Sequence, residues 1–143
     1  MISQIKSLLK ERKHCVLATI DDGRPYCSLM AYITDAPATC IFMVSHRHTR
    51  KFRNLESNPR VSLLVDSRDA PQAQALTIEG VCSEVTDKDQ QHQIRQRFLE
   101  HHPGMAAFVD HPEAAFIRVP IRSVLFLDGL TDAHYFDFSS VAS

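Results

Sequence analysis

Ile41-Phe42-Met43-Val44-Ser45-His46-Arg47-His48-Thr49-Arg50-Lys51-Phe52-Arg53-Asn54-Leu55-Glu56-Ser57-Asn58-Pro59-Arg60-Val61-Ser62-Leu63-Leu64-Val65 is the stretch on which the fold turns. The apolar run Thr39 to Val44 predicts a strand. Ser45 to Thr49 breaks it, and Thr49 is placed to cap a two-turn helix with Phe52 and Leu55 on one face. Asn58-Pro59 stops that helix, and Val61 to Val65 opens the next strand. A basic turn therefore sits where a strand ends and a helix begins. A helix N-terminus presents unpaired N–H groups and the positive end of the dipole, so it binds anions. The Ser45 and Thr49 hydroxyls and the Arg50 and Lys51 charges complete a phosphate cradle. Charge alone also fits a solvated basic helix face.

Upstream, Ile2, Ile5, Leu8 and Leu9 recur at helical spacing, with Ser3 as a candidate cap and Lys10 to Lys13 as a basic end. Cys15 to Ile20 reads as a buried strand, Asp21-Asp22-Gly23-Arg24 as a hairpin turn and Pro25 to Thr34 as a second strand. With the Thr39–Val44 strand these make an antiparallel meander. Downstream, Ser67 to Gln74 is a polar loop containing Pro71, and Ala75 to Val85 alternates as one long strand. Thr86 or Asp87 caps a helix running to about His101, with Ile94 and Phe98 inward, and His101-His102 reads as a pair at its negative end. Ala115 to Val119 and Val124 to Leu127 read as two late strands, and Gly129 to Ser143 as a loose tail. The expected fold is mainly β: a closed or split, antiparallel, Greek-key barrel of six or seven strands with small helices. No repeat or linker divides residues 1–143, so one domain is expected.

Net charge of -1 argues against a broad nucleic-acid surface. No apolar run approaches the ~20 residues of a membrane span, and the first residues lack the features of a signal peptide. A cytoplasmic protein with reduced thiols is expected. Cys15, Cys27, Cys40 and Cys82 form no C-x-x-C pair and each lies in an apolar run, so they read as small buried hydrophobes. His46 and His48 lack a further nearby ligand, which argues against a metal site. No Ser-His-Asp, paired-carboxylate or nucleophilic Cys pattern stands out.

Four segments together resemble the pyridoxamine 5′-phosphate oxidase-like family of FMN-binding split barrels. They are Val16-Leu17-Ala18-Thr19-Ile20-Asp21-Asp22-Gly23-Arg24-Pro25, the stretch quoted first, Leu76-Thr77-Ile78-Glu79-Gly80, and Phe116-Ile117-Arg118-Val119. The resemblance runs over roughly residues 4 to 128, and its layout is especially similar to that of small bacterial FMN-binding proteins. It implies that Arg50 and Lys51 bind the FMN phosphate, and that Val44 and Ser45 approach the flavin. It implies too that Ser28, Leu29, Met30 and Ala31 run along the isoalloxazine edge, with Tyr32 following. Gln74 lies near a position that in the family reaches the flavin from a later strand. The cofactor of the family lies at a two-fold dimer interface, so a homodimer is implied.

The C-terminal Arg and Trp or His set of the full oxidases cannot be placed, because this chain has no Trp. Vitamin B6 oxidation is therefore not implied. The expectation is an FMN-dependent oxidoreductase of unassigned substrate and no assigned catalytic residue. The alternatives are a non-catalytic flavin or electron carrier, a haem-binding relative using His134, a deazaflavin protein, and a cofactor-free barrel holding another phosphate ligand. The tail from residue 130 is a candidate flap over the partner's site.

Overall fold

Alternating burial from Cys15 to Ile20 makes β1 (His14–Asp21), with Cys15, Leu17 and Thr19 facing inward. Asp22 and Gly23 both take positive φ, the turn that matches the strand twist, and return the chain as β2 (Arg24–Ala31). The computed structural model describes residues 1–68 and 72–139.

The expected single strand from Pro25 to Thr34 is broken at Tyr32, beyond which β3 (Ile33–Thr34) pairs with β4 (Cys40–His46). Tyr32 is the corner: its N–H donates to the Lys13 carbonyl and its own carbonyl accepts from His102. The chain thus leaves β1 and joins β4, which curls the sheet. Between β3 and β4 the Asp35 carboxylate accepts the N–H groups of Thr39 and Cys40 at 2.8 and 3.1 Å.

The helix α2 (Arg50–Ser57) and strands β5 (Arg60–Ser67) and β6 (Gln74–Val81) follow. The expected strand to Val85 breaks at Cys82, leaving β7 (Ser83–Glu84) as a separate piece. Asp87 caps α3 (Lys88–His101), which buries Ile94 and Phe98 as its spacing requires. A tight turn at Pro103–Met105 leads into α4 (Ala106–Val109).

The two late strands foreseen from sequence are one, β8 (Ala114–Asp128). Its first half pairs with β4 and β7, its second with β6 and β9 (Ala133–Asp137). Pro120, which has no N–H to donate, stands where β8 passes from one set of partners to the other. Residues 133–137 are thus a strand rather than part of a loose tail, because β8 offers an edge there. Residues 140–143, and Pro71 of the polar loop, lie outside the described residues.

The main path is β2-β1-β5-β6-β8-β4-β3, every pairing antiparallel, with β7 and β9 as additions on β8. At one end α1 (Ile2–Glu11) buries Ile5, Leu8 and Leu9 in the barrel core. Ser3 does not cap it: the helix begins at Ile2, and no side chain caps it. The buried Tyr32 hydroxyl donates to the Leu9 carbonyl at 2.6 Å and ties the corner to this helix. A second apolar cluster, with Ile33, Val44, Val85, Ile94, Phe98 and Val109, lies under α3. No helix of the described residues is long and apolar enough to cross a membrane.

Candidate functional site

The basic turn is built from its backbone. Thr49 donates its hydroxyl to the His46 carbonyl at 2.8 Å and accepts the Phe52 N–H at 3.4 Å, so it caps α2 as its position predicts. Ser45 is fully buried beside it, with its hydroxyl 3.4 Å from that of Thr49. The N–H groups of Arg50 and Lys51 have no partner among the described residues. Two free donors thus stand at the positive end of α2.

The two cations above them differ. Arg50 is exposed, donates from Nε to Asp21 Oδ2 at 2.6 Å, and lies 4.6 Å over the Tyr26 ring. Lys51 is half-buried, and burial pulls its ammonium below the usual lysine range. It forms no ion pair among the described residues. Its position in the first turn is one that the helix dipole disfavours for a cation.

The helix is fixed to the hairpin below it by a buried polar chain. Asn54 Nδ2 donates to Thr19 Oγ1 at 3.1 Å, and the Thr19 hydroxyl donates to the Tyr26 carbonyl at 3.4 Å. Arg47 turns the other way and makes a two-pronged pair with Glu84. His46 donates from Nε2 to the Phe108 carbonyl at 2.9 Å and stacks on Phe108 and His111, at centroid distances of 4.1 and 4.4 Å. Rings stacked face to face do not converge on a point. Among the described residues no group of three or more His, Cys, Asp or Glu is arranged to hold a metal ion.

The structure gathers Ser45, Thr49, Arg50 and Lys51 at one place and brings β2 beside it through Tyr26. Along β2, Ser28 and Ala31 are half-buried, Leu29 is 72% exposed, and Met30 points into the barrel core. β2 ends the main path of the sheet, so one of its edges offers backbone groups. Tyr32 is a core residue, and the Val44 side chain belongs to the cluster under α3. Gln74 stands at the far end of the β5–β6 hairpin, paired with Ser67 and donating to Asp128. Seven residues of strand, about 23 Å, separate that end from Arg60, where α2 hands over to β5. Within one subunit Gln74 is not part of the cradle.

Sequence reasoning missed Asp21, Thr19, Tyr26 and Asn54 as parts of this site. Asp21 carried only a turn signal, and nothing local links it to Arg50. Cys27 is exposed on β2 rather than buried, whereas Cys15, Cys40 and Cys82 are buried. Burial pushes the Cys15 thiol up to about 12 and raises those of Cys40 and Cys82, which disfavours the thiolate at all three. His102, expected as a partner of the α3 dipole, is buried instead, because its Nε2 donates to the Tyr32 carbonyl at 2.9 Å.

This turn, anchored on the first hairpin of a curled antiparallel barrel, can be set against known proteins. The family model for pyridoxamine 5′-phosphate oxidase matches residues 1–128. The chain belongs to the pyridoxamine 5′-phosphate oxidase family. A haem oxygenase of Vibrio cholerae, HutZ, is 32% identical over 92% of this chain and 78% of its own length. A Schizosaccharomyces pombe pyridoxamine 5′-phosphate oxidase homolog is 40% identical over 44% of this chain, a match that spans only 37% of that relative. Among solved structures, a FAD-binding protein from Mesorhizobium loti superposes with a TM-score of 0.74 at 20% identity, over 88% of this chain and 91% of that one. At that identity the likeness shows the fold alone. Flavin-named and haem-named proteins thus share this fold.

Proposed function

We propose that the chain binds FMN with the phosphate at the N-terminus of α2 and acts as a flavin-dependent oxidoreductase in a two-fold homodimer. The observation that carries this reading is Lys51: among the described residues it is a half-buried cation without an acidic partner, beside two unpaired N–H groups. Desolvation and the helix dipole both oppose that charge, and the attraction of a bound dianion would offset both. Arg50 adds a forked donor, and Ser45 and Thr49 add hydroxyls. The open edge of β2 from Ser28 to Ala31 supplies backbone groups for the ring, and the exposed Leu29 supplies apolar cover. Gln74 reaches a flavin only across a dimer interface. Bound FMN would supply hydride or electron transfer at its ring, while the protein positions it.

The test is an absorption spectrum of desalted protein after incubation with FMN. Bands near about 450 nm are retained by the wild type and weakened in Arg50→Ala plus Lys51→Ala. Protein that retains no flavin at micromolar FMN refutes the reading.

One observation favours haem as the second reading. The haem oxygenase HutZ matches over most of this chain, and His134 lies on β9 with Nε2 3.0 Å from Asp132. A Soret band that disappears in His134→Ala supports haem ligation, and its absence from the wild type removes it.

A further inference from the structure

The last turns of α1 and α3 meet over β3 around a cavity of about 240 Å³ that shares no residue with the α2 cradle. Lys10, Arg12, Arg97 and His101 line it, and among the described residues Asp35 is the one carboxylate in the lining. Several acceptors around this cavity are already engaged by its own elements. The Leu9 carbonyl takes the Tyr32 hydroxyl and the Thr34 carbonyl takes Arg97. The Asp35 carbonyl takes the Thr34 hydroxyl, and the Arg97 carbonyl takes His101 Nδ1–H. The Asp35 carboxylate accepts Thr39 N–H and Oγ1–H and Cys40 N–H, so its own turn holds it.

The donors are in excess. The Lys10 ammonium makes no hydrogen bond or ion pair among the described residues, and the Arg97 guanidinium donates there to the Thr34 carbonyl alone. Elsewhere Arg47, Arg50, Arg68 and Arg95 each pair with a carboxylate. A helix C-terminus favours nearby cations, which accounts for Lys10 and His101 one by one. It does not account for Arg97, which lines the polar cavity and forms no ion pair with a carboxylate among the described residues.

We propose that this cavity is a second anion site, taking a small dianion such as a phosphate monoester or a short dicarboxylate, with Arg97 and Lys10 as its anchors. Arg presents a planar fork to an oxyanion and Lys a mobile point charge. The volume is below that of sites for drug-sized ligands, which limits the occupant to a small molecule.

The probe is inorganic phosphate, titrated at constant ionic strength into the ¹⁵N-labelled full chain and followed by amide shifts. Amides at Lys10, 34–36, Arg97 and His101 are expected to shift along one saturating curve. Arg97→Ala weakens that curve about tenfold or more, and leaves the midpoint at 45–51 unchanged. Arg97→Gln, which keeps a donor for the Thr34 carbonyl, gives the same loss if the alanine variant folds poorly. Succinate in place of phosphate tells a dicarboxylate occupant from a phosphate one. Shifts confined to 45–51, shifts that never saturate, or a midpoint indifferent to both Arg97 variants overturn the proposal. Loss of binding at 45–51 alone counts against the FMN reading and not against this one.

Discussion

Gly80→Ala is expected to destabilise the protein strongly, whereas Gly104→Ala is not. Gly80 lies at the bulge where β6 passes under the turn of β8. A Cβ built there stands 2.6 Å from Val119 Cγ1 and 2.7 Å from the Pro120 carbonyl oxygen. Neither neighbour yields easily: Val119 is fully buried, and Pro120 contributes backbone. Overpacking of this kind costs about 1–3 kcal/mol. The upper part of that range applies because one contact is backbone, and alanine returns some chain entropy relative to glycine. A net loss of about 2 kcal/mol follows, which for 143 residues lowers Tm by about 7 °C. A Cβ on Gly104 meets nothing within 4 Å, and its φ is not in the left-handed region. Alanine there leaves Tm unchanged or raises it by a degree or two. Thermal unfolding of both variants by circular dichroism checks the pair. A Gly80→Ala protein within 1 °C of wild type, or a Gly104→Ala protein that loses as much, refutes the account of barrel closure.

Burial holds the His102 imidazole below its ordinary value, against the opposing pull of its bond to the Tyr32 carbonyl, and nearby His14, His101 and Lys13 act in the same direction as burial. The unfolded chain then takes up this proton first as pH falls. The stability that depends on neutral His102 is full above pH 6.5 and declines below it. Urea unfolding at pH 7.5 and 5.5 should show a smaller difference in His102→Gln than in wild type, and an equal difference counts against the assignment. Asn54→Ala removes the donor that ties α2 to Thr19, at a cost of about 1–3 kcal/mol. It should lower FMN retention more than Arg53→Ala does at the exposed face of the same helix, and equal retention would contradict the anchoring role. Lys51→Ala alone should weaken retention without lowering Tm, whereas Arg50→Ala, which also breaks the Asp21 pair, should lower both. A Lys51→Ala protein that melts clearly earlier than wild type would show that the lysine has a structural partner.

What the sequence made legible was local. The Thr49 and Asp87 caps, the stop at Asn58-Pro59 and the Asp21–Arg24 turn each depend on residues within four positions, and each stands where it was expected. What it hid depends on partners far along the chain. β8 reads as two strands because Pro120 interrupts an apolar run, yet β4 and β6 hold it as one from either side. Residues 133–137 carry a strand's alternation, but only the free edge of β8 makes them one. The corner at Tyr32 is invisible until α1 and His102 are in place to hold it.

The same division runs through the candidate site. Ser45, Thr49, Arg50 and Lys51 were legible together because one strand-to-helix turn carries all four. Asp21 was not, since 29 residues separate it from Arg50. That long-range contact makes the two adjacent cations unequal. Arg50 already has a carboxylate and an aromatic ring, so an incoming phosphate must share it with Asp21. Lys51 has neither, and burial leaves its charge poorly solvated. In the proposed phosphate site, one cation is fixed in orientation and the other has no acidic partner among the described residues, so the first would give geometry and the second most of the gain on binding.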